Sequence, residues 1–232
     1  MLYKNDMMVL DLMAHNNWKR PVYFATTVSD ENYLGLEKYF RLDGFAYRIV
    51  PVETVRPDGQ SGFIDSDILY ENLMNKFKWG NIANPKVYLD ETNERMLSNF
   101  RNIFARLAEQ LINENKIDSA VNVLDKCFKV MPVGQVPLNY WTLPLVEQYY
   151  RAKQFEKANK LAQQIFETTE LDLRYYSKIR GKLSESISSE KRMGLYTLSN
   201  LAKLAEGHGQ KPLMDKFNAA LQRYMGMVGP EE

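Results

Sequence analysis

The stretch that decides the fold is Arg101–Pro132, which reads RNIFARLAEQLINENKIDSAVNVLDKCFKVMP. Its apolar residues recur at helical spacing in two segments, and this pattern predicts two helices that pack against each other. Small side chains at Ala108 and Ala120 let the helices approach, while larger side chains fill the space between them. The positions that carry the pattern are Phe104, Leu107, Ala108, Leu111, Ala120, Leu124, Cys127 and Pro132.

These eight residues fit the key positions of the tetratricopeptide pattern, a pair of helices in about 34 residues that ends at a proline. A second copy follows, in which Leu145, Val146 and Tyr149 mark the first helix. Its second helix is marked by Ala158, Ala162 and Ile165. Pro144 lies within the predicted first helix, where it indicates either a kink or the first helical turn.

The remainder of the second half is also predicted to be helical. One long helix is expected at about 171–187, and a last pair of helices at about 190–206 and 211–226. The last pair matches the repeat pattern only loosely, as is expected of a capping element. At least three helical units are then available, which is enough for a stable solenoid.

The first half has a different composition. In residues 1–94, prolines and turn signals separate short apolar segments, whereas helix formers dominate from residue 95 onward. The sequence therefore predicts a small mixed α/β domain at 1–94 and a tetratricopeptide-like helical repeat domain at 95–232. The predicted fold class is α+β, mainly α.

The predicted elements of the first half include two short strands. A strand, a crossover helix and a second strand within about 30 residues predict a small parallel βαβ-type cap. Pro57-Asp58-Gly59 predicts a turn after the second strand. In chain order, the predicted elements are a helix at Asp6–His15, a strand at Pro21–Thr27, a helix at 31–40, a strand at Phe45–Val50 and a helix at about 67–77 capped by Asp65 or Ser66.

Composition and charge exclude several classes of function. The 30 Lys and Arg residues nearly balance 29 Asp and Glu residues, so the net charge of +1 argues against a nucleic-acid binder, which normally has a basic face. A single cysteine, Cys127, excludes an internal disulfide, and two histidines, His15 and His208, exclude a His-rich metal site. No apolar run is long enough to span a membrane, and the N-terminus does not read as a signal peptide.

No sequence motif predicts catalysis, a metal site or a cofactor. Nucleotide-binding loops, zinc-protease helices and the nucleophile elbow of hydrolases are absent from the sequence. Cys127 takes a helix-packing position, so we expect a buried, inert thiol. His15 is expected to stabilise the C-terminal end of its helix by a favourable interaction with the helix dipole. His208 lies between two glycines and is expected to be a solvated loop residue. Asp65 and Asp67 precede an apolar helix, so N-capping is the stronger interpretation.

The first half contains one candidate ligand-binding cluster. Trp18, Lys19, Arg20 and Tyr23 could stack on and pair with a sugar or a phosphate. Trp18 could equally seal the end of the small sheet, and we favour this structural role. Helically spaced aromatic residues in the second half are expected mostly in the core, with a minority lining a concave groove. They are Tyr140, Trp141, Tyr149, Tyr150, Tyr175 and Tyr176.

Several segments together resemble the soluble C-terminal region of a bacterial multi-span membrane family, which is similar to protein O-mannosyltransferase-like glycosyltransferases. The most specific segment is Asn17–Ala25, NWKRPVYFA. The other segments are Tyr33–Glu37, Gly44–Arg48, Leu69–Met74, Phe77–Gly80, Val87–Asp90 and Asn99–Arg101.

The resemblance implies a fragment of a larger membrane protein. In transferases of that architecture, the catalytic acidic residues lie in an extracytoplasmic loop near the N-terminus, so no catalytic residue carries over to this chain. It further implies a parent in the inner membrane, with this region facing the periplasm.

We therefore expect a non-catalytic, soluble C-terminal module that recognises a protein or a glycan acceptor through helical repeats, without a cofactor, a nucleic-acid partner or a membrane span of its own. The partner could be the membrane part of its own parent chain. One alternative is a carbohydrate-binding or transferase-assisting site in the N-terminal half, and the other is a purely structural or dimerising tail.

Overall fold

The structure is a computed structural model that describes residues 3–54 and 59–227. The protein is mainly α-helical, with a small three-stranded sheet near the N-terminus and a helical array after it, which confirms the predicted fold class. The chain divides after Lys78 into an N-terminal unit and a C-terminal unit that begins at Trp79, whereas the sequence composition changes near residue 94. The predicted turn at Pro57-Asp58-Gly59 falls largely outside the described residues.

The N-terminal unit combines two helices with a sheet. Its helix α1 confirms the predicted first helix, and Asp65 caps α2 by accepting a hydrogen bond from the Ile68 amide at 3.1 Å. A single π-helical turn, Asn72–Lys76, extends α2. The elements are α1 (Lys4–Asn16), β1 (Tyr23–Ala25), β2 (Phe40–Leu42), β3 (Ala46–Ile49) and α2 (Ser66–Glu71).

The sheet is antiparallel throughout, so the predicted parallel βαβ unit is wrong. Strand β3 lies in the centre, between β1 and β2. Cross-strand partners alternate between the two faces, because successive side chains of a strand point in opposite directions. Tyr23, Arg48 and Arg41 share one face, whereas Phe24, Tyr47 and Leu42 share the other.

The predicted helix at 31–40 is also wrong. Leu34 and Gly35 have φ angles of 59° and 72°, and consecutive left-handed residues interrupt an α-helix. The segment instead forms two short 3₁₀ turns, Asp30–Asn32 and Glu37–Tyr39, and then enters β2 at Phe40. The apolar residues taken for a helical face therefore reach the core from turns and a strand.

The core of the N-terminal unit is aromatic. Phe24, Tyr33 and Phe40 are buried, and their ring centroids lie 5.0–5.7 Å apart in edge-to-face and tilted arrangements. Val9 and Met13 of α1 pack against this cluster from one side. The helix is therefore held to the sheet by a narrow stripe of its surface.

The C-terminal unit is an array of helix pairs. Helix α3 packs against α4, α5 against α6, and α8 against α9, while α3 also contacts α5 and α6 also contacts α8. Successive pairs therefore stack on one another. The helices are α3 (Glu91–Asn113), α4 (Ile117–Val130), α5 (Leu143–Arg151), α6 (Phe155–Tyr176), α7 (Lys182–Ser186), α8 (Ser188–Gly207) and α9 (Lys211–Tyr224).

The three helix pairs share one turn geometry. Asn115, Lys153 and Gly209 each adopt a left-handed conformation, and each amide bonds back to the carbonyl three residues earlier. The following amide bonds back five residues in every case, as in a Schellman-type helix end. This recurrence aligns the third pair with the other two, although its sequence matches the repeat pattern only loosely.

Two predictions about helix bounds are resolved by the structure. Pro144 lies in the first turn of α5, where its missing amide costs nothing, and does not kink the helix. The predicted helix at 171–187 is wrong as a single element, because α6 continues to Tyr176 and the chain then breaks before α7. Gly181, with a φ of 66°, lies in this break.

The predicted repeat-packing residues lie mostly in the core. Pro132 is half-buried, and the other ten are buried: Phe104, Leu107, Ala108, Leu111, Ala120, Leu124, Cys127, Leu145, Tyr149 and Ala158. Of the predicted core aromatics, Tyr150 is buried as well, whereas Trp141 and Tyr175 are exposed. None of the helices within residues 3–54 and 59–227 is long and apolar enough to cross a membrane.

Candidate functional site

The turn after α1 presents the predicted ligand-binding residues. Asn16 closes this turn, since its side chain donates to the Arg20 carbonyl at 2.6 Å and accepts from the Arg20 amide at 3.1 Å. Trp18 has a φ of 57° and is 58% exposed, and Lys19 and Arg20 are exposed beside it.

These candidate residues do not line one pocket. Trp18 borders a cleft of about 10 Å³ with Met13, Asn16, Val22 and Ile49, which is room for about one water molecule and not for a sugar ring. Tyr23 lies in β1 on the opposite sheet face from Phe24, opposite Arg48. The structure therefore places Trp18 beside Val22 and Ile49 at this cleft and leaves Tyr23 on another surface of the sheet.

The polar face of the sheet holds an ion pair that sequence reasoning missed. The Arg41 guanidinium donates two hydrogen bonds to the Asp43 carboxylate, at 2.6 and 3.1 Å. The hydrogen bond to Asp43 raises the pKa of Arg41. Asp43 follows the end of β2, two residues after Arg41, and this spacing of opposite charges was the available signal.

Cys127 has the surroundings of a structural thiol. It is fully buried, and this burial raises the pKa of the thiol to about 12. A thiolate is the nucleophilic form, so the side chain is unreactive near neutral pH. Across residues 3–54 and 59–227, no cluster of three or more His, Cys, Asp or Glu side chains could hold a metal ion.

We expect Cys127 to resist alkylation in the folded protein. Labelling by iodoacetamide at pH 8 should be slower than that of the unfolded chain by more than a hundredfold, because burial both blocks access and suppresses the thiolate. Mass spectrometry with and without denaturant measures this ratio. Comparable rates in the two states would contradict the assigned burial.

His208 differs from its prediction as a solvated loop residue. Its ring is half-buried and stacks on Tyr150, with centroids 4.6 Å apart. The Tyr150 hydroxyl donates to Asn159, and the Asn159 amide donates in turn to Gln210. These contacts join the second helix pair to the turn of the third, so His208 serves the array as a packing residue.

A groove between α4 and α6 is a concave site of the helical array. Its volume is about 330 Å³, and it is open to solvent. One wall comes from Phe128, Pro132 and Val133, and the other comes from α6 residues at helical spacing. The α6 residues are Lys157, Lys160, Leu161 and Gln164, and Tyr149 of α5 completes the lining.

A hydrogen-bonded network fixes one end of the groove. The Tyr149 hydroxyl donates to Asp125 at 2.9 Å, and Lys157 donates to the same carboxylate at 2.7 Å. Burial, together with the Asp125 charge, raises the pKa of Tyr149, so the phenol stays protonated. Lys160 makes no ion pair with any described residue, so its charge remains available to a bound molecule.

The apolar wall rests on a buried arginine. Arg101 of α3 is fully buried, and its guanidinium carbon lies 5.5 Å from the ring centroid of Phe128. It donates hydrogen bonds to the carbonyls of Met131, Val136 and Pro137, at 2.7–3.0 Å. These bonds hold the loop that carries Pro132 and Val133, so Arg101 positions the wall without touching a ligand.

Burial lowers the pKa of Arg101, because no described carboxylate pairs with it. Its Nε is also buried without a hydrogen-bond partner among the described residues. The positive charge of the buried guanidinium is therefore stabilised by three carbonyl dipoles and by the Phe128 ring. The available signal in the sequence was the position of Arg101 three residues before Phe104, on the packing face of α3.

A comparison with protein families finds a match to part of the chain. A family model described as TMEM260-associated domain 2 matches residues 1–68, and it represents a domain of a membrane-protein family. The matched region contains α1, the sheet and the turn with Trp18. No curated protein and no solved structure matches the chain.

Proposed function

We propose that the chain is a non-catalytic C-terminal module of a membrane glycosyltransferase-like protein and faces the periplasm, where it recognises a protein partner through tetratricopeptide-like repeats. The family match supports a membrane-protein parent. The glycosyltransferase-like parent and the periplasmic side rest on the resemblance of the Asn17–Ala25 segment and its companions.

The repeat part of the proposal is supported by the helix pairs. Three pairs use the same left-handed turn at Asn115, Lys153 and Gly209. Ala108, Ala120 and Ala158 are fully buried, as small residues at helix crossings of such repeats are. Stacked helix pairs form extended surfaces that bind peptides and proteins.

The groove between α4 and α6 is the observation that carries the proposal. Its apolar wall suits an aliphatic or aromatic side chain, and Lys160 suits a carboxylate. Its α6 wall extends from Lys157 to Gln164, about two helical turns, which suits an extended segment. We therefore assign it an apolar peptide with an acidic residue.

A displayed random-peptide library tests this assignment. We expect the full chain to enrich peptides that combine apolar and acidic residues, and Lys160→Glu to weaken their binding roughly tenfold by charge repulsion. Lys203→Glu is the matched control, because Lys203 is an exposed lysine of α8 outside the groove. Fluorescence titration of the enriched peptides measures both affinities.

Equal affinities of Lys160→Glu and Lys203→Glu for the enriched peptides would contradict a site in the groove. A library that yields only Lys160-independent binders would contradict it as well. The two other functions stay predictions. Glycan titration followed by tryptophan emission tests the cluster at Trp18, and light scattering of the isolated chain tests a dimerising tail.

A further inference from the structure

The outward surface of α1 is unusually apolar. Tyr3 is 64%, Met7 54%, Met8 65% and Leu12 52% exposed. A surface helix of a globular protein normally turns its apolar stripe to the core and its polar side chains outward. Helix α1 has apolar residues on both sides, because Val9 and Met13 already pack against the sheet.

The exposed apolar residues fall on two neighbouring ridges of the helix. The ridge of Tyr3 and Met7 continues to the exposed side chain of Asp11, which contacts His15. Met8 and Leu12 are four residues apart and occupy the other ridge, which carries no carboxylate and continues to Asn16 in the cleft that Trp18 also lines. The indole therefore extends an apolar face, made of Met8, Leu12 and Trp18, beyond the end of the helix.

Cations border this face. Lys4 lies on the ridge of Met8 and Leu12, and Lys19 and Arg20 follow Trp18 in the exposed turn. The segment from Tyr3 to Thr27 has two carboxylates. Asp6 is buried and accepts from the Tyr3 amide, and Asp11 lies 3.2 Å from His15 Nδ1. Three exposed cations, Lys4, Lys19 and Arg20, therefore outnumber one exposed carboxylate, that of Asp11, and the net charge of this surface is positive.

We propose that α1 and the turn at Trp18 bind the surface of an anionic lipid bilayer. The helix lies parallel to the interface, with Met8 and Leu12 in the boundary between headgroups and acyl chains. Trp18 lies at headgroup depth, where indole rings concentrate. Lys4, Lys19 and Arg20 then pair with acidic headgroups.

The combination of chemistries favours this occupant over a protein. An apolar face alone would fit a partner helix, but an apolar face with cations at both ends and an indole at one end matches the layered polarity of a bilayer interface. The membrane-protein family match also covers every residue of the face. The proposal involves none of the groove residues, so it can be tested independently of peptide recognition by the groove.

Vesicle flotation with the full chain tests the proposal. We expect binding to vesicles of phosphatidylcholine and phosphatidylglycerol in equal parts to exceed binding to pure phosphatidylcholine at least tenfold, and to weaken as salt is raised. Tryptophan emission should shift to the blue on binding. This shift should disappear in Trp18→Phe, which retains Trp79 and Trp141.

Two double variants separate the apolar and the charged contributions. Met8→Gln with Leu12→Gln keeps good helix formers at exposed positions and should weaken vesicle binding at least tenfold. Lys19→Glu with Arg20→Glu should abolish the preference for anionic vesicles. Tyr88→Gln with Leu171→Gln is the matched control, since both residues are exposed and lie in the C-terminal unit.

Unchanged vesicle binding by Met8→Gln with Leu12→Gln, with circular dichroism showing intact helices, would overturn the proposal. Absence of binding to anionic vesicles would overturn it too. Self-association that this double variant abolishes, seen by light scattering without lipid, would assign the face to a second copy of the chain. Lys160→Glu should leave vesicle binding unchanged, so failure of this proposal is distinguishable from failure of the groove.

Discussion

Replacing Arg101 with methionine should lower the free energy of unfolding of the C-terminal unit by about 3 kcal/mol or more, because each buried polar group left unsatisfied costs about 1–3 kcal/mol. The carbonyls of Met131 and Val136 accept from Arg101 in the buried interior. Methionine fills much of the volume but donates no hydrogen bond. A loss of this size corresponds to a fall in Tm of roughly 10 °C.

The variant should affect recognition as well as stability. Arg101 holds the loop that carries Pro132 and Val133 and lies under Phe128, so its loss loosens the apolar wall of the groove. Peptide binding should therefore weaken at temperatures where Arg101→Met is still folded. Titration well below the transition separates this effect from unfolding.

Arg95→Met is the matched control for Arg101→Met. Both arginines lie in α3, but Arg95 is exposed, and its replacement should change the Tm by only a few degrees. Arg101→Lys should be nearly as unstable as Arg101→Met, since a single ammonium cannot reproduce the planar fork that reaches three carbonyls. Thermal unfolding of Arg101→Met that coincides with that of Arg95→Met would contradict the role assigned to Arg101.

The helical half was largely predictable from sequence, for a physical reason. Helix pairs depend on local periodicity and on a few small residues at crossings, and both are visible in Arg101–Pro132. The last pair was predicted at 190–206 and 211–226, and α8 and α9 lie at Ser188–Gly207 and Lys211–Tyr224. The error at 171–187 arose because the apolar pattern continues across the break at residues 177–181, which separates α6 from α7.

The N-terminal half was less predictable because its strands are very short. Strands β1 and β2 contain three residues each, which is too few for an alternating pattern to emerge. The apolar residues between Tyr33 and Phe40 also fit a helical face, and only the left-handed pair Leu34 and Gly35 excludes it. Whether two strands pair parallel or antiparallel depends on the path of the segment that joins them, and local residue propensities do not encode that path.

The groove was predictable only in part. Tyr149 was expected either in the core or in a groove. It belongs to both, because its side chain is buried and also lines the groove. Lys157 and Lys160 lie in α6, whereas Phe128 lies in α4 of the preceding helix pair. These side chains line one groove because the two pairs stack, and the residue spacing within a single repeat does not encode that stacking.

The second large effect is expected for Gly44→Ala, which should destabilise the N-terminal unit by about 3 kcal/mol or more. Gly44 has a φ of 139°, and a Cβ at this position would clash with the Phe77 ring. Backbone strain at such a position costs about 1–3 kcal/mol, and overpacking adds about 1–3 kcal/mol. The turn between β2 and β3 is held against the π-helical turn in two places. Asn72 donates a hydrogen bond to the Asp43 carbonyl at 2.7 Å, and the Phe77 ring packs on Phe45.

Two further variants separate strain from steric contact at Gly44. Gly35→Ala is the control for strain, because Gly35 has a φ of 72° and a Cβ there would meet no atom within 4 Å, so about 1–2 kcal/mol is expected. Adding Phe77→Leu to Gly44→Ala removes the ring edge that the new methyl group meets. The double variant should then be less destabilised than the sum of its single changes, which is the signature of a direct contact.

Hydrogen exchange of peptides across residues 40–50 measures the stability of the N-terminal unit in each variant. If the effects of Gly44→Ala and Phe77→Leu were strictly additive, the Phe77 ring would not limit the space at Gly44.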